Sequence, residues 1–131
     1  MIDNKVVFAP LLYIRPGVVD ISFYEQAFDA VEVRRWTNDD NSIHAAELSI
    51  DGSLFHLHEE SAQKRLLSPE TTRGSTVVVG LFVKDVDAVM KKAILAGAEE
   101  INPAKDYEYG YRQGDLKDPF GHHWTIQKKI L

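Results

Sequence analysis

A chain of 131 residues, 44% apolar and 27% charged, suits one globular domain or two small halves sharing a core. Fifteen Lys plus Arg against twenty Asp plus Glu leave a net charge of −5, which argues against a dedicated nucleic-acid binder with its basic face. There is no cysteine, which excludes a disulfide scaffold, a cysteine nucleophile, an iron–sulfur cluster and a thiolate zinc site.

The first apolar run, Val6–Ile14, predicts a strand. The turn Arg15-Pro16-Gly17 leads into a helical pattern from Val18 to Phe28. There Val19, Phe23 and Ala27 fall at spacing four, beside Tyr24 and Phe28, as a core-facing stripe. Asp29 stands where a left-handed C-terminal residue is expected, a conformation Asp tolerates better than most. Strand signals follow at Ala30–Trp36, Ile43–Ile50 and Leu54–His58. Asp51-Gly52 joins the last two as a two-residue hairpin loop of type I′. Glu59–Ser75 is a polar connection with Pro69, Gly74 and a helical patch around Ala62–Leu67. A second apolar run, Thr76–Val83, precedes a helix over Val86–Leu95, with Asp85 as N-cap and Gly97 at the C′ position. The last strand signals are Glu100–Asn102, Tyr111–Lys117 and His123–Lys128, with Asp118-Pro119-Phe120-Gly121 as the turn before the final strand. No apolar stretch approaches the ~20 residues of a membrane span. Met1-Ile2-Asp3-Asn4-Lys5 lacks the features of a signal peptide. The expectation is a cytoplasmic protein with neither a membrane nor a nucleic-acid partner.

The two halves read alike. Val19-Asp20 aligns with Val86-Asp87, an offset of 67 residues, and Asp29-Ala30-Val31-Glu32 aligns with Gly97-Ala98-Glu99-Glu100. Each half spells strand–helix–strand–strand–strand. Half-chain self-similarity signals duplication of one unit, not a solenoid. The expected fold is α+β: one domain over residues 1–131, with a first βαβββ module at about 1–60, a linker at 61–74 and a second module at about 75–131.

Two stretches carry a family resemblance. Leu11-Leu12-Tyr13-Ile14-Arg15-Pro16-Gly17, with Ile21-Ser22-Phe23-Tyr24 and Phe28-Asp29-Ala30, resembles the opening strand and helix of the vicinal oxygen chelate superfamily, the glyoxalase/bleomycin-resistance/dioxygenase group. Tyr109-Gly110-Tyr111-Arg112 and Lys117-Asp118-Pro119-Phe120-Gly121-His122-His123-Trp124 resemble its closing hairpin. The resemblance implies a curled, cup-shaped mixed sheet with helices on the convex face and a ligand cavity on the concave one. It implies pairing of halves, within a chain or between chains, and so a homodimer. Metal-dependent members carry four His or Glu ligands on first and last strands. Position by position these are Ala9, His56, Val78 and Thr125 here, and of these only His56 is a normal metal ligand. The expectation is therefore no metal and no cofactor.

Alternation along the strands selects the site candidates. If Leu12, Ile14, Leu48, Phe55, Leu57, Trp124 and Ile126 cover the helices, their neighbours face the cavity. Tyr13 and Phe82 then offer rings for stacking, with Trp36 placed to do the same. Glu47, His56 and His123 offer polar contacts, and Arg112, after a Tyr-rich segment, a cation for an anionic ligand. His56 and His58 share a face; His44 and Glu47 do not, if the strand is regular. The reading is a metal-free protein of the bleomycin-resistance type that sequesters an aromatic or amphipathic small molecule. The alternative is a divalent-metal lyase, isomerase or dioxygenase with relocated ligands around His56, such as His56, His58 and Glu47.

Overall fold

The computed structural model describes residues 5–131; Met1–Asn4, read above for a leader, lie outside the described residues. The elements run β1 (Leu11–Ile14), α1 (Phe23–Phe28), β2 (Val31–Thr37), β3 (Ile43–Ile50), β4 (Ser53–Glu59), α2 (Pro69–Thr72), β5 (Val78–Phe82), α3 (Val86–Leu95), β6 (Glu99–Tyr107), β7 (Tyr111–Lys117) and β8 (His123–Lys129). They make two four-stranded sheets of one topology, β1-β4-β3-β2 and β5-β8-β7-β6. The first and last strand of each half pair in parallel, and the other neighbours are antiparallel. This is the α+β fold of two βαβββ modules.

Local chemistry explains the element ends. The Asp85 carboxylate accepts from the Ala88 amide at 3.0 Å and starts α3. Asp29 ends α1 in the left-handed region, at φ 56°. Asp51 and Gly52 both have positive φ, 48° and 88°, as a type I′ hairpin loop needs.

Four boundaries differ from the sequence reading. The first strand starts at Leu11, because Pro10 has no N–H to continue a ladder and residues 5–9 leave the sheet. The first helix starts only at Phe23. The Val18 carbonyl accepts from the Ile43 amide at 2.7 Å, which ties that stretch to β3, and the Asp20 side chain takes the Ser22 amide at 2.9 Å. Val19 is accordingly exposed and not part of the core stripe. In the connection, Ser61 and Leu66 pair as an isolated bridge where a helical patch was expected. The short helix begins later at Pro69, capped by the Ser68 hydroxyl. Finally, β6 is nine residues long, with register shifts on either side of Asn102 that let an edge strand carry Pro103.

The helix-bearing faces of both sheets feed one core. Leu12, Ile14, Leu48, Phe55, Leu57, Leu116, Trp124 and Ile126 are buried there with Phe23, Tyr24, Phe28 and Met90 from the helices. Aromatic contacts cross between the halves: Tyr24 stacks on Phe120 at 5.9 Å, and Phe28 and Phe55 meet Trp124 at 4.8 and 5.8 Å. At the centre lies the buried Asp118 carboxylate. It accepts from Tyr24 Oη at 2.5 Å, Trp124 Nε1 at 3.0 Å, and the Phe120 and His122 amides at 2.9 and 3.0 Å. His122 is buried too, and its Nε2 donates to the Tyr13 carbonyl at 2.7 Å, tying the second half to β1.

Candidate functional site

The face of each sheet turned away from that core carries no helix. On the first sheet, register places two rows side by side. One row is Arg34, Glu47, His56 and Leu11; the next is Trp36, Ala45, His58 and Tyr13. Glu47 Oε2 lies 3.8 Å from His56 Nε2. The Arg34 guanidinium sits 4.6 Å over the Trp36 ring, a cation–π contact. Tyr13 meets His58 edge to face at 5.7 Å.

His44 joins this face. A register shift between Trp36 and Thr37 breaks the alternation of β3 after the buried Ile43. That swings His44 to within 4.8 Å of His58, ring to ring. His44 Nδ1 lies 2.8 Å from Glu59 Oε1, and Asn38 Nδ2 donates to Glu59 Oε2 at 3.0 Å. The hydrogen bond from His44 holds the Glu59 carboxyl below the usual carboxylate range. His58 Nδ1 meets the Glu59 carbonyl at 2.6 Å. A carbonyl only accepts, so Nδ1 of His58 donates, and Nε2 is the ring nitrogen left to meet a ligand. The face thus offers rings for stacking and imidazole nitrogens for hydrogen bonds to a ligand.

The other candidates lie elsewhere. Phe82 and His123 are on the helix-free face of the second sheet. Phe82 ends an array of rings: Tyr111 at 6.1 Å, then Tyr109 at 5.9 Å, then Tyr107 stacked at 5.2 Å under the Lys105 ammonium. His123 lines a cavity of about 450 Å³ with Glu70, Arg73 and Lys117. Among the described residues, no hydrogen bond, ion pair or ring contact joins Tyr13, Glu47 or His56 to Phe82 or His123. Arg112 takes the opposite face. It pairs across the ladder with Lys128, one step out of phase with the Gln113–Gln127 pair, and so points toward α3. Asp87 in the first turn of α3 grips it with two hydrogen bonds of 2.8 and 2.9 Å, and Asp106 adds one of 3.0 Å. These carboxylates raise the Arg112 pKa further, and the hydrogen bond from Arg112 in return holds Asp87 below the usual carboxylate range. A guanidinium satisfied in this way braces helix on sheet, apart from the cavity residues.

Sequence reasoning missed His44, Asn38 and Glu59, because the bulge that reorients His44 is set by the pairing of β3 with β2 and leaves no signal in the residues themselves. The tyrosine array was legible, since Tyr107, Tyr109 and Tyr111 recur at spacing two.

The tandem βαβββ architecture, with helix-free faces lined by aromatic and polar side chains, defines a protein of vicinal oxygen chelate fold. Residues 20–126 match the Glyoxalase/Bleomycin resistance protein/Dioxygenase superfamily, and the chain belongs to that family. An uncharacterised protein of Mycobacterium tuberculosis is 33% identical over 132 aligned residues, covering 98% of this chain and 78% of its own length. The X-ray structure of an Arabidopsis thaliana gene product is similar with a TM-score of 0.71 and 26% identity, covering 95% of this chain and 99% of that one. Fosfomycin resistance protein FosX from Mesorhizobium loti shares the fold, with a TM-score of 0.67, 15% identity and coverage of 100% and 96%.

The four positions that family resemblance assigns to a metal do not fit one. Ala9 and Val78 carry no donor atom. The Thr125 hydroxyl donates to Asp115 at 2.6 Å, and His56 neighbours Glu47. Among the described residues, no three His, Cys, Asp or Glu side chains form a group able to hold a metal ion.

Proposed function

We propose that this protein binds a small aromatic or amphipathic molecule on the helix-free face of the first sheet and sequesters it without metal chemistry. The carrying observation is the juxtaposition of Tyr13, Trp36, Glu47, His56 and His58 on one uncovered face. Buried polar groups are costly unless paired, by about 1–3 kcal/mol each, so side chains like these suit a wet, ligand-accessible surface. The 131 residues act as one cytoplasmic domain, with halves at about 1–60 and 75–131. Two copies pair so that Phe82 and His123 of one face the first-sheet cluster of the other. Exposed Leu11, Trp36, Leu54, Val78 and Phe82 on the two helix-free faces support that pairing.

Trp36 supplies the readout. It is 41% exposed while Trp124, the other tryptophan, is 1% exposed, so a quencher or stacked ligand reaches Trp36 alone. Titration with a panel of planar aromatic compounds should change the fluorescence of the native protein and not of Trp36→Phe. Tyr13→Ala should weaken such binding by about 1 kcal/mol or more with the melting temperature preserved. Silence across the panel, or equal binding by Tyr13→Ala and His56→Ala, would remove the reading. Protein purified without a histidine tag should hold well under one equivalent of divalent ion. Stoichiometric zinc, nickel, manganese or iron lost in His56→Ala would overturn this reading and favour the metal-enzyme alternative.

A further inference from the structure

Arg73 ends α2 at φ 59°, in the left-handed region where a Cβ is disfavoured and glycine is free, although Gly74 stands next in the chain. The surroundings hold it there. Ser68 is fully buried, and its hydroxyl donates to the Glu60 carboxylate at 2.7 Å. The Thr72 hydroxyl donates to the Gly74 carbonyl at 2.8 Å. Pro69 packs so close to the turn at 118–121 that a Cβ on Gly121 would stand 2.9 Å from Pro69 Cβ. Strain kept by such a frame points to a use for the side chain that carries it. Arg73 lines the cavity of about 450 Å³ between α2 and that turn, together with Lys117 and His123. Lys117 and His123 are cross-strand partners where β7 and β8 meet the turn, so their side chains share a face.

The acids around the cavity do not cancel these groups. Among the described residues, no carboxylate pairs with Arg73. Glu70, on the cavity wall, is engaged by Arg15 at 3.3 Å. Asp118 turns its carboxylate to four donors in the core. Lys117 meets Glu99 at 3.0 Å, which uses one of its three donors. We propose that this cavity binds a phosphate monoester, with the phosphoryl group held by Arg73, Lys117 and His123. Donors reach it from three elements, α2, β7 and β8, an arrangement that suits the oxygens of a tetrahedral oxyanion better than the single plane of a carboxylate. Arg73 supplies a planar fork for two of those oxygens, Lys117 a point charge and His123 a ring N–H. The cavity is larger than a bare phosphate, which leaves room for the organic part of the ester. The site is built within one chain, so it stands apart from the pairing of copies and from the aromatic ligand of the first sheet.

Glycerol phosphate is the probe, because it has no ring to stack on the first sheet. Titrated at constant ionic strength, it should raise the melting temperature of the native chain and give a saturable calorimetric isotherm. Arg73→Gly separates ligand from scaffold. With glycine at the left-handed position the unliganded variant should melt no lower than the native chain, while its dissociation constant for glycerol phosphate rises roughly 10-fold or more. Lys117→Gln should weaken binding in the same sense. Lys64→Gln, on the linker outside the cavity, and Tyr13→Ala, on the first sheet, should leave it unchanged. No saturable binding to the native chain would overturn the inference, and so would native affinity in Arg73→Gly. Equal losses in Lys64→Gln and Lys117→Gln would overturn it too, by reducing the effect to the general charge of the surface. Loss in Tyr13→Ala alone would place the phosphate on the first sheet and overturn this site.

Discussion

Asp118 answers four donors from inside the core, two of them side chains of the first and second halves. Removing the carboxylate strands the Tyr24 hydroxyl and the Trp124 indole N–H without water. Asp118→Ala should therefore cost roughly 3 kcal/mol or more, seen as a lower urea midpoint at unchanged slope; a loss under about 1 kcal/mol would mean the donors find other partners. The same contact gives Tyr24 a pH signature. Burial, and then the adjacent Asp118 charge, push its phenol well above the ordinary value. The unfolded chain loses that proton near pH ~10 while the folded chain keeps it. Above that pH the unfolded state binds fewer protons, so stability falls as pH rises. Tyr24→Phe should flatten the alkaline limb of the stability profile and leave its neutral-to-acid shape unchanged.

At the level of elements, α3 lies on the second sheet through one missing side chain. A Cβ built on Gly114 of β7 would stand 2.7 Å from Met90 Cε and 3.1 Å from its Cγ. Met90 is buried, so its side chain has to repack within the core to make room. Gly114→Ala should cost about 1–3 kcal/mol. In the background of Met90→Ala that cost should shrink, giving a coupling of at least ~0.5 kcal/mol in a double-mutant cycle. Strict additivity would show that the helix does not rest there. The N-terminus of the same helix offers a smaller effect: Asp85→Ala should lose about 1 kcal/mol in the same denaturation experiment.

Elements like α3 were legible because their signals are local: a capping Asp85 and a closing Gly97 bracket one short stretch of chain. The same holds for Asp51-Gly52 and for the face assignment of Leu12, Ile14, Phe55 and Trp124, which alternation alone supplies. What stayed hidden depends on distant partners. The Val18 carbonyl is claimed by Ile43, so a helical pattern becomes extended chain. His44 changes face because of a shift against β2. Arg112 follows tyrosines of the helix-free face yet is claimed by Asp87, 25 residues away. Its own alternation relative to Gly114 and Leu116, both on the core side, was the available clue.

For the whole molecule, the shared core means that neither half is a self-sufficient unit. A chain ending at residue 74 would leave Tyr24, Phe28 and Phe55 without Phe120 and Trp124. Such a fragment should lose fixed aromatic packing, with a weak near-ultraviolet circular dichroism spectrum, as expected where too little surface can be buried. A sharp cooperative melt of that fragment would show the first half to be autonomous.

The Tyr24–Asp118 contact also bears on time. Its partners are 94 residues apart, whereas the β3–β4 hairpin closes around two residues and can form early, being local. A bond across the halves has to wait until both are assembled, so it belongs to the last stage of the reaction. Loosening it should hardly slow the approach to the native state, but should shorten the native state's lifetime. In stopped-flow experiments Tyr24→Phe should raise the unfolding limb of the chevron and leave the refolding limb nearly superimposed on that of the parent.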